Sequence, residues 1–147
     1  MVDLSYLRNI LTSESPKKIL TSTRRSEKTI AGLPFPRGLR RTIVSDTKYK
    51  FFSQDEYLGI LKSIDIGKYV ADYLDCDDRT LWVLANVKAN PELPTFWGAA
   101  IGEARGKIKG HTVYHSLIVF WDTNKKRHYY EPTTKKLVDF EPKEIYI

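Results

Sequence analysis

The chain contains one cysteine, set among acids in Tyr73-Leu74-Asp75-Cys76-Asp77-Asp78. The apolar residues that follow, Leu81, Trp82, Val83, Leu84, Ala85 and Val87, predict a helix over 75–88 with Asp75 as its N-cap. Cys76 then lies in the first turn, where free amides and the helix dipole favour the thiolate, the nucleophilic form of sulfur. A lone cysteine is more often a small buried hydrophobe, but three aspartates around one thiol are not an apolar environment. Asp77 and Asp78 complement the helix N-terminus, while their charges oppose ionisation of the adjacent thiol. Two arrangements relieve that conflict: the carboxylates act as caps and ion-pair partners, or they hold a hard cation such as Ca²⁺, which takes several oxygen ligands.

A thiol nucleophile needs a base and a group to orient that base. Three histidines are available. His111 belongs to the loop-like Lys109-Gly110-His111-Thr112, and His128 follows Lys125-Lys126-Arg127, where a solvated surface position is the simplest reading. His115 lies inside the clearest strand of the chain, on the face of Leu117 and Val119, where a histidine is more often a satisfied core residue than a base. Hairpin geometry gives it a partner. If Val113–Trp121 and Arg127–Glu131 pair across the polar turn 122–126 with Val119 facing Arg127, His115 faces Glu131 directly. If Trp121 faces Arg127, the two become diagonal neighbours on one face, about 7–8 Å apart. A slip of one residue would separate them. Cysteine, histidine and acid in this order fit the logic of a thiol hydrolase.

The elements that must position these groups change character along the chain. Residues 2–11 have helical apolar spacing, and 12–50 read as a basic extended arm broken by Pro34-Phe35-Pro36-Arg37-Gly38. Ile30, Leu33, Phe35, Leu39, Ile43 and Val44 predict that this arm docks in part on the domain. Ser53 with Glu56 forms a capping box for a helix over 53–64. After Pro91 and Pro94 the period falls to two, predicting strands over 96–104, 113–121, 127–131 and 137–140. Helices followed by an antiparallel sheet give an α+β domain over 51–147, preceded by the basic region 1–50.

The pieces Tyr73-Leu74-Asp75-Cys76-Asp77-Asp78, a strand opening with His115, and Tyr129-Tyr130-Glu131-Pro132-Thr133 resemble the papain-like cysteine protease domain at the C-terminus of a mushroom agglutinin, and related phage and archaeal proteins. The resemblance covers roughly residues 50–140. It implies a papain-like or transglutaminase-like fold, with Cys76 as nucleophile, His115 as base and Glu131 as orienter. It also implies calcium dependence, with Asp77 and Asp78 as ligands. Relatives tend to carry a small aromatic or apolar pair where this chain has Arg79-Thr80, and often a glutamine where it has Thr133.

Composition bounds the alternatives. The 147 residues hold 41% hydrophobic and 29% charged side chains, which suits one globular domain. One cysteine excludes an intrachain disulfide and a multi-cysteine zinc site. No apolar run approaches a membrane span and no secretory signal is legible, which predicts a cytoplasmic protein, with a viral or phage origin left open. The net charge of +6 is concentrated in residues 1–50, where eleven Lys/Arg stand against four Asp/Glu. Two readings therefore stand. One is a thiol peptidase or amidase acting on a peptide or protein, with transglutaminase-type acyl transfer as a variant. The other is a non-catalytic phage-type or nucleic-acid-binding protein that uses Lys17-Lys18, Arg24-Arg25 and Arg40-Arg41, although no aromatic platform for stacking bases accompanies these clusters.

Overall fold

The computed structural model describes residues 18–20, 28–36, 38–67 and 75–147. The helix expected over 2–11 lies outside the described residues. Among the described residues, nine strands and two α-helices form a mixed α+β architecture. The strands are β1 (Lys18–Leu20), β2 (Lys28–Ile30), β3 (Leu33–Phe35), β4 (Arg41–Val44), β5 (Ile101–Ile108), β6 (Tyr114–Trp121), β7 (Arg127–Glu131), β8 (Lys136–Leu137) and β9 (Phe140–Tyr146). The helices are α1 (Gln54–Ser63) and α2 (Cys76–Lys88).

Seven strands make one sheet in the order β1-β4-β9-β5-β6-β7-β8, and β2-β3 is a separate hairpin. The expected all-antiparallel sheet is corrected at one pair: β4 runs parallel to β9, with Arg41 opposite Glu144 and Ile43 opposite Tyr146. The basic arm is thus built into the sheet, and its Leu33, Phe35, Leu39 and Val44 are buried. Two strand boundaries also move. Pro94 opens a 3-10 turn at 94–96 and Gly98 has φ +76°, so β5 begins at Ile101 rather than near Phe96. The expected strand at 137–140 divides into β8 and the longer β9.

Alternation on β6 sorts the core into two layers. Leu117, Val119 and Trp121 join Ala104, Ile145 and the β2-β3 residues Leu33 and Phe35 on one face. Ile118 and Phe120 join Tyr57, Leu61, Val83, Leu84 and Val87 of the helices on the other. The hairpin is pinned by the Trp121 indole N–H, which donates to the Pro34 carbonyl at 2.8 Å, and by Phe35 edge-on to the same indole. On the helical face, α1 starts with the predicted capping box. Glu56 N–H donates to Ser53 Oγ at 3.1 Å and Ser53 N–H donates to Glu56 Oε2 at 2.7 Å. Among the described residues no helix is long and apolar enough to cross a membrane.

Candidate active site

The site forms where β7 stops. β6 and β7 pair from Trp121–Arg127 to Ile118–Tyr130, and β7 ends at Glu131, followed by Pro132. Beyond that point the edge of β6 has no strand neighbour on this side, and the first turns of α2 take its place. Thr80 Oγ1 donates to the Ser116 carbonyl at 3.2 Å, and the Ser116 N–H is directed at the Cys76 sulfur. Cys76 is the first helical residue and is half-buried. It shares a pocket of about 220 Å³ with Asp77, Arg105, Tyr114, His115 and Ser116. The nucleophile and base candidates are therefore brought to one cavity.

The electrostatics differ from the simple helix-dipole expectation. Burial pushes the Cys76 thiol above its ordinary value. The Ser116 N–H works the other way, and the charges of Asp77 and Asp75 add to the rise. Asp75 occupies the N-cap position with extended backbone but makes no capping hydrogen bond. Its carboxyl is instead raised to about 6, first by a hydrogen bond with Asp77, then by burial and the Asp77 charge. Asp75, Asp77 and Asp78 each offer an oxygen within 4.8 Å of the others, and Asp75 Oδ1 is buried without a hydrogen-bond partner. Such an all-oxygen donor set fits a hard cation.

His115 is half-buried, with the exposed His111 ring 6.5 Å away between centroids. Its cross-strand partner is Gly106, so no side chain stands directly opposite the imidazole. Of the two registers the sequence allowed, the structure has Trp121 facing Arg127. Continued by one residue, this sets Glu131 opposite Leu117 and diagonal to His115. Glu131 is buried, and its carboxylate accepts from Thr133 N–H at 3.0 Å and Thr134 N–H at 2.7 Å. Among the described residues no hydrogen bond joins it to His115. The Thr133 hydroxyl in turn accepts from Arg79 Nη1 at 3.1 Å. Arg79 and Thr133, two positions at which the chain departs from the pattern it resembles, thus contact each other and link α2 to the end of β7.

Sequence reasoning missed the rest of the pocket wall. Glu103 is 3% exposed, and its Oε1 accepts from Ser116 Oγ at 2.7 Å and from Arg105 Nε at 2.9 Å. Arg105 lies 5.2 Å from the centre of the Tyr146 ring, on which its guanidinium packs. Burial alone would weaken its charge, but the hydrogen bond and charge of Glu103 hold its pKa above the ordinary value. The available signal was period-two alternation, which puts Glu103 and Arg105 on the helix-facing side of β5 with Ile101. Arg40, from the basic arm, donates to the Tyr114 hydroxyl at 3.0 Å and lies 3.7 Å from Glu144, at the rim. His128 is corrected from a surface residue to a buried one. Its Nε2 is 2.8 Å from Asp122 Oδ2 and its ring stacks on Phe120, away from the pocket.

No family model and no curated protein matches the chain. The solved structure described as PSL1a-E64 complex is similar, with a TM-score of 0.62 and 15% identity. The match covers 75% of this chain and 45% of that one, so the chain spans less than half the length of its structural neighbour. The likeness is one of fold.

Proposed function

We propose that this protein is a thiol hydrolase of papain-like organisation, a peptidase or amidase acting on a peptide or protein. The observation that carries the reading is the single pocket lined by Cys76 at a helix start and His115 at a strand start. Burial and the neighbouring aspartates favour S–H over the thiolate, so the sulfur needs a base. His115 then removes the proton as the S–C bond forms at the carbonyl. Collapse of the tetrahedral species breaks the C–N bond, and the imidazolium returns its proton to the departing amine. Water, deprotonated by the same imidazole, cleaves the thioester; an amine in place of water would give acyl transfer. Glu131 orients the imidazole. A carboxylate has about four acceptor positions and the two amides occupy two of them, and a diagonal strand neighbour lies within reach of a glutamate side chain. Asp77 and Asp78, with Asp75, would hold Ca²⁺, whose charge would offset the carboxylates that oppose thiolate formation. The neighbour's description as a complex with E64 adds support from a protein of similar fold.

The test is alkylation of Cys76 by iodoacetamide at pH 7, with and without Ca²⁺. Burial and the aspartates alone make the native thiol slower than that of the urea-denatured chain. A base within reach makes it faster, and His115→Ala then removes the advantage. E64 serves as a second probe, with a covalent adduct expected at Cys76. Native labelling no faster than denatured labelling, together with no E64 adduct, would refute the proposal.

A further inference from the structure

Attack on a carbonyl moves an electron pair onto the carbonyl oxygen, and that oxyanion needs hydrogen-bond donors. The Cys76 backbone N–H at the helix start is one. The pocket wall has few side-chain candidates for a second. Ser116 Oγ donates to Glu103 and His115 is engaged in proton transfer. The Tyr114 hydroxyl accepts from Arg40 and keeps its own hydrogen, but it sits on an exposed side chain at the rim. Arg105 is the donor held in place. Glu103 takes its Nε at 2.9 Å and one Nη2 hydrogen at 3.4 Å, while Nη1 donates to no described residue. The guanidinium is held from two directions, by a buried carboxylate and by the Tyr146 ring, and it lines the cavity that contains the sulfur. Its strand position is directly opposite Ser116, whose N–H faces that sulfur. We infer that Arg105 is a catalytic residue whose Nη1 donates to the oxyanion formed when Cys76 attacks a carbonyl, with Glu103 as the residue that positions it. This inference rests on the thiol-hydrolase reading. No bond to Arg105 forms or breaks: the oxygen takes up the π-electron pair as the S–C bond forms and gives it back as the leaving group departs.

Two reactions of the same sulfur separate this role from a structural one. Alkylation by iodoacetamide displaces iodide from a saturated carbon and creates no oxyanion. Acylation by p-nitrophenyl acetate passes through one. Both rates are measured on the full chain for wild type, Arg105→Gln, Arg105→Lys, and Arg105→Gln combined with Glu103→Gln, which removes the buried charge pair together. The expected result is an acylation rate lower by on the order of 10²-fold in the glutamine variants, a partial loss in Arg105→Lys, and an alkylation rate within about twofold of wild type. Glu103→Gln alone should show an intermediate acylation loss, because the guanidinium is less firmly placed. Parallel changes in both reactions in every variant, or no change in either, would overturn the assignment. Failure of the underlying reading has a different signature: the wild-type chain itself shows neither accelerated alkylation nor an acetyl adduct at Cys76, and both ideas then fall.

Discussion

The Glu103–Arg105 pair should be among the most strongly coupled pairs in the molecule, and a double-mutant cycle reads the coupling. Glu103 is 3% exposed and meets Arg105 Nε at 2.9 Å. At an effective dielectric of ~20 the Coulomb attraction at that distance is about 6 kcal/mol, most of it offset by desolvation of the two ions. Arg105→Met leaves a buried carboxylate with the Ser116 hydroxyl as its remaining partner. Removing one member of a buried pair costs about 3–5 kcal/mol, and the 29% exposure of the Arg105 side chain places the expectation near the lower end. Glu103→Gln keeps an acceptor for Ser116 and should cost about 1–2 kcal/mol. The double variant should cost less than the sum by about 2 kcal/mol, because neither charge is then stranded. Urea unfolding followed by tryptophan fluorescence gives the four stabilities. Arg105→Met alone should lower the melting temperature by about 10 °C for a chain of this size. A coupling below about 0.5 kcal/mol would show that solvent, rather than Glu103, holds the guanidinium, and would remove the rigid placement on which its catalytic assignment depends.

Three further outcomes follow from the geometry. Hydrogen bonds from His128 and from the Lys126 and Asn124 amides outweigh burial and hold the Asp122 carboxyl below its ordinary value. Its stabilising contribution is therefore present above the unfolded pKa near 4 and is lost as pH falls through the folded one; Asp122→Asn should flatten the acid limb of a melting-temperature profile below about pH 4, and an unchanged limb would refute the pairing. Trp121→Phe removes the indole donor to Pro34 while Arg127 Nη1 still reaches that carbonyl at 3.1 Å; a loss of about 2 kcal/mol is expected, with faster amide exchange over 28–35. If the aspartate cluster takes Ca²⁺, a hundredfold excess over the dissociation constant should stabilise by about 2.7 kcal/mol, and Asp77→Asn with Asp78→Asn should abolish the gain. An unchanged melting temperature would leave the two residues as partners of the helix dipole.

The parts legible in the sequence are those fixed within a few residues. The Ser53–Glu56 box was readable because both hydrogen bonds close inside one turn. The two faces of β6 were readable because alternation is a property of a single strand. The register of β6 against β7 reduced to two alternatives, of which the turn at 122–126 selects one. What was hidden depends on distant segments. The parallel β4·β9 pair joins residues about a hundred positions apart. β9 continues through Pro142 because a bulge beside Gly106 relieves the missing amide: Arg105 pairs with Glu144 and Gly106 with Pro142, leaving Lys143 as the extra residue. His128 looked exposed among lysines because its partner, Asp122, lies in what read as a polar turn. Glu103 drew no notice because the strand was expected to end at 104, short of its same-face partner Arg105, and because Ser116 reaches it only through strand pairing.

The proposed chemistry traces to one backbone event. In an antiparallel ladder each strand residue points both its N–H and its carbonyl to the same side. Along β6, Ile118 and Phe120 pair with β7, and Ser116 points the same way by alternation. Had β7 continued, its backbone would have satisfied Ser116. Pro132 cannot donate to a ladder, so the strand ends and two polar groups remain at the edge of a buried sheet. The start of α2 answers both, Thr80 taking the carbonyl and the sulfur receiving the N–H. That requirement fixes the height of α2 against the sheet and sets Cys76 beside the residue following His115. That thiol and imidazole line one pocket is then a consequence of satisfying the strand edge, and a sequence that extended β7 by two residues would lose the site while keeping the fold.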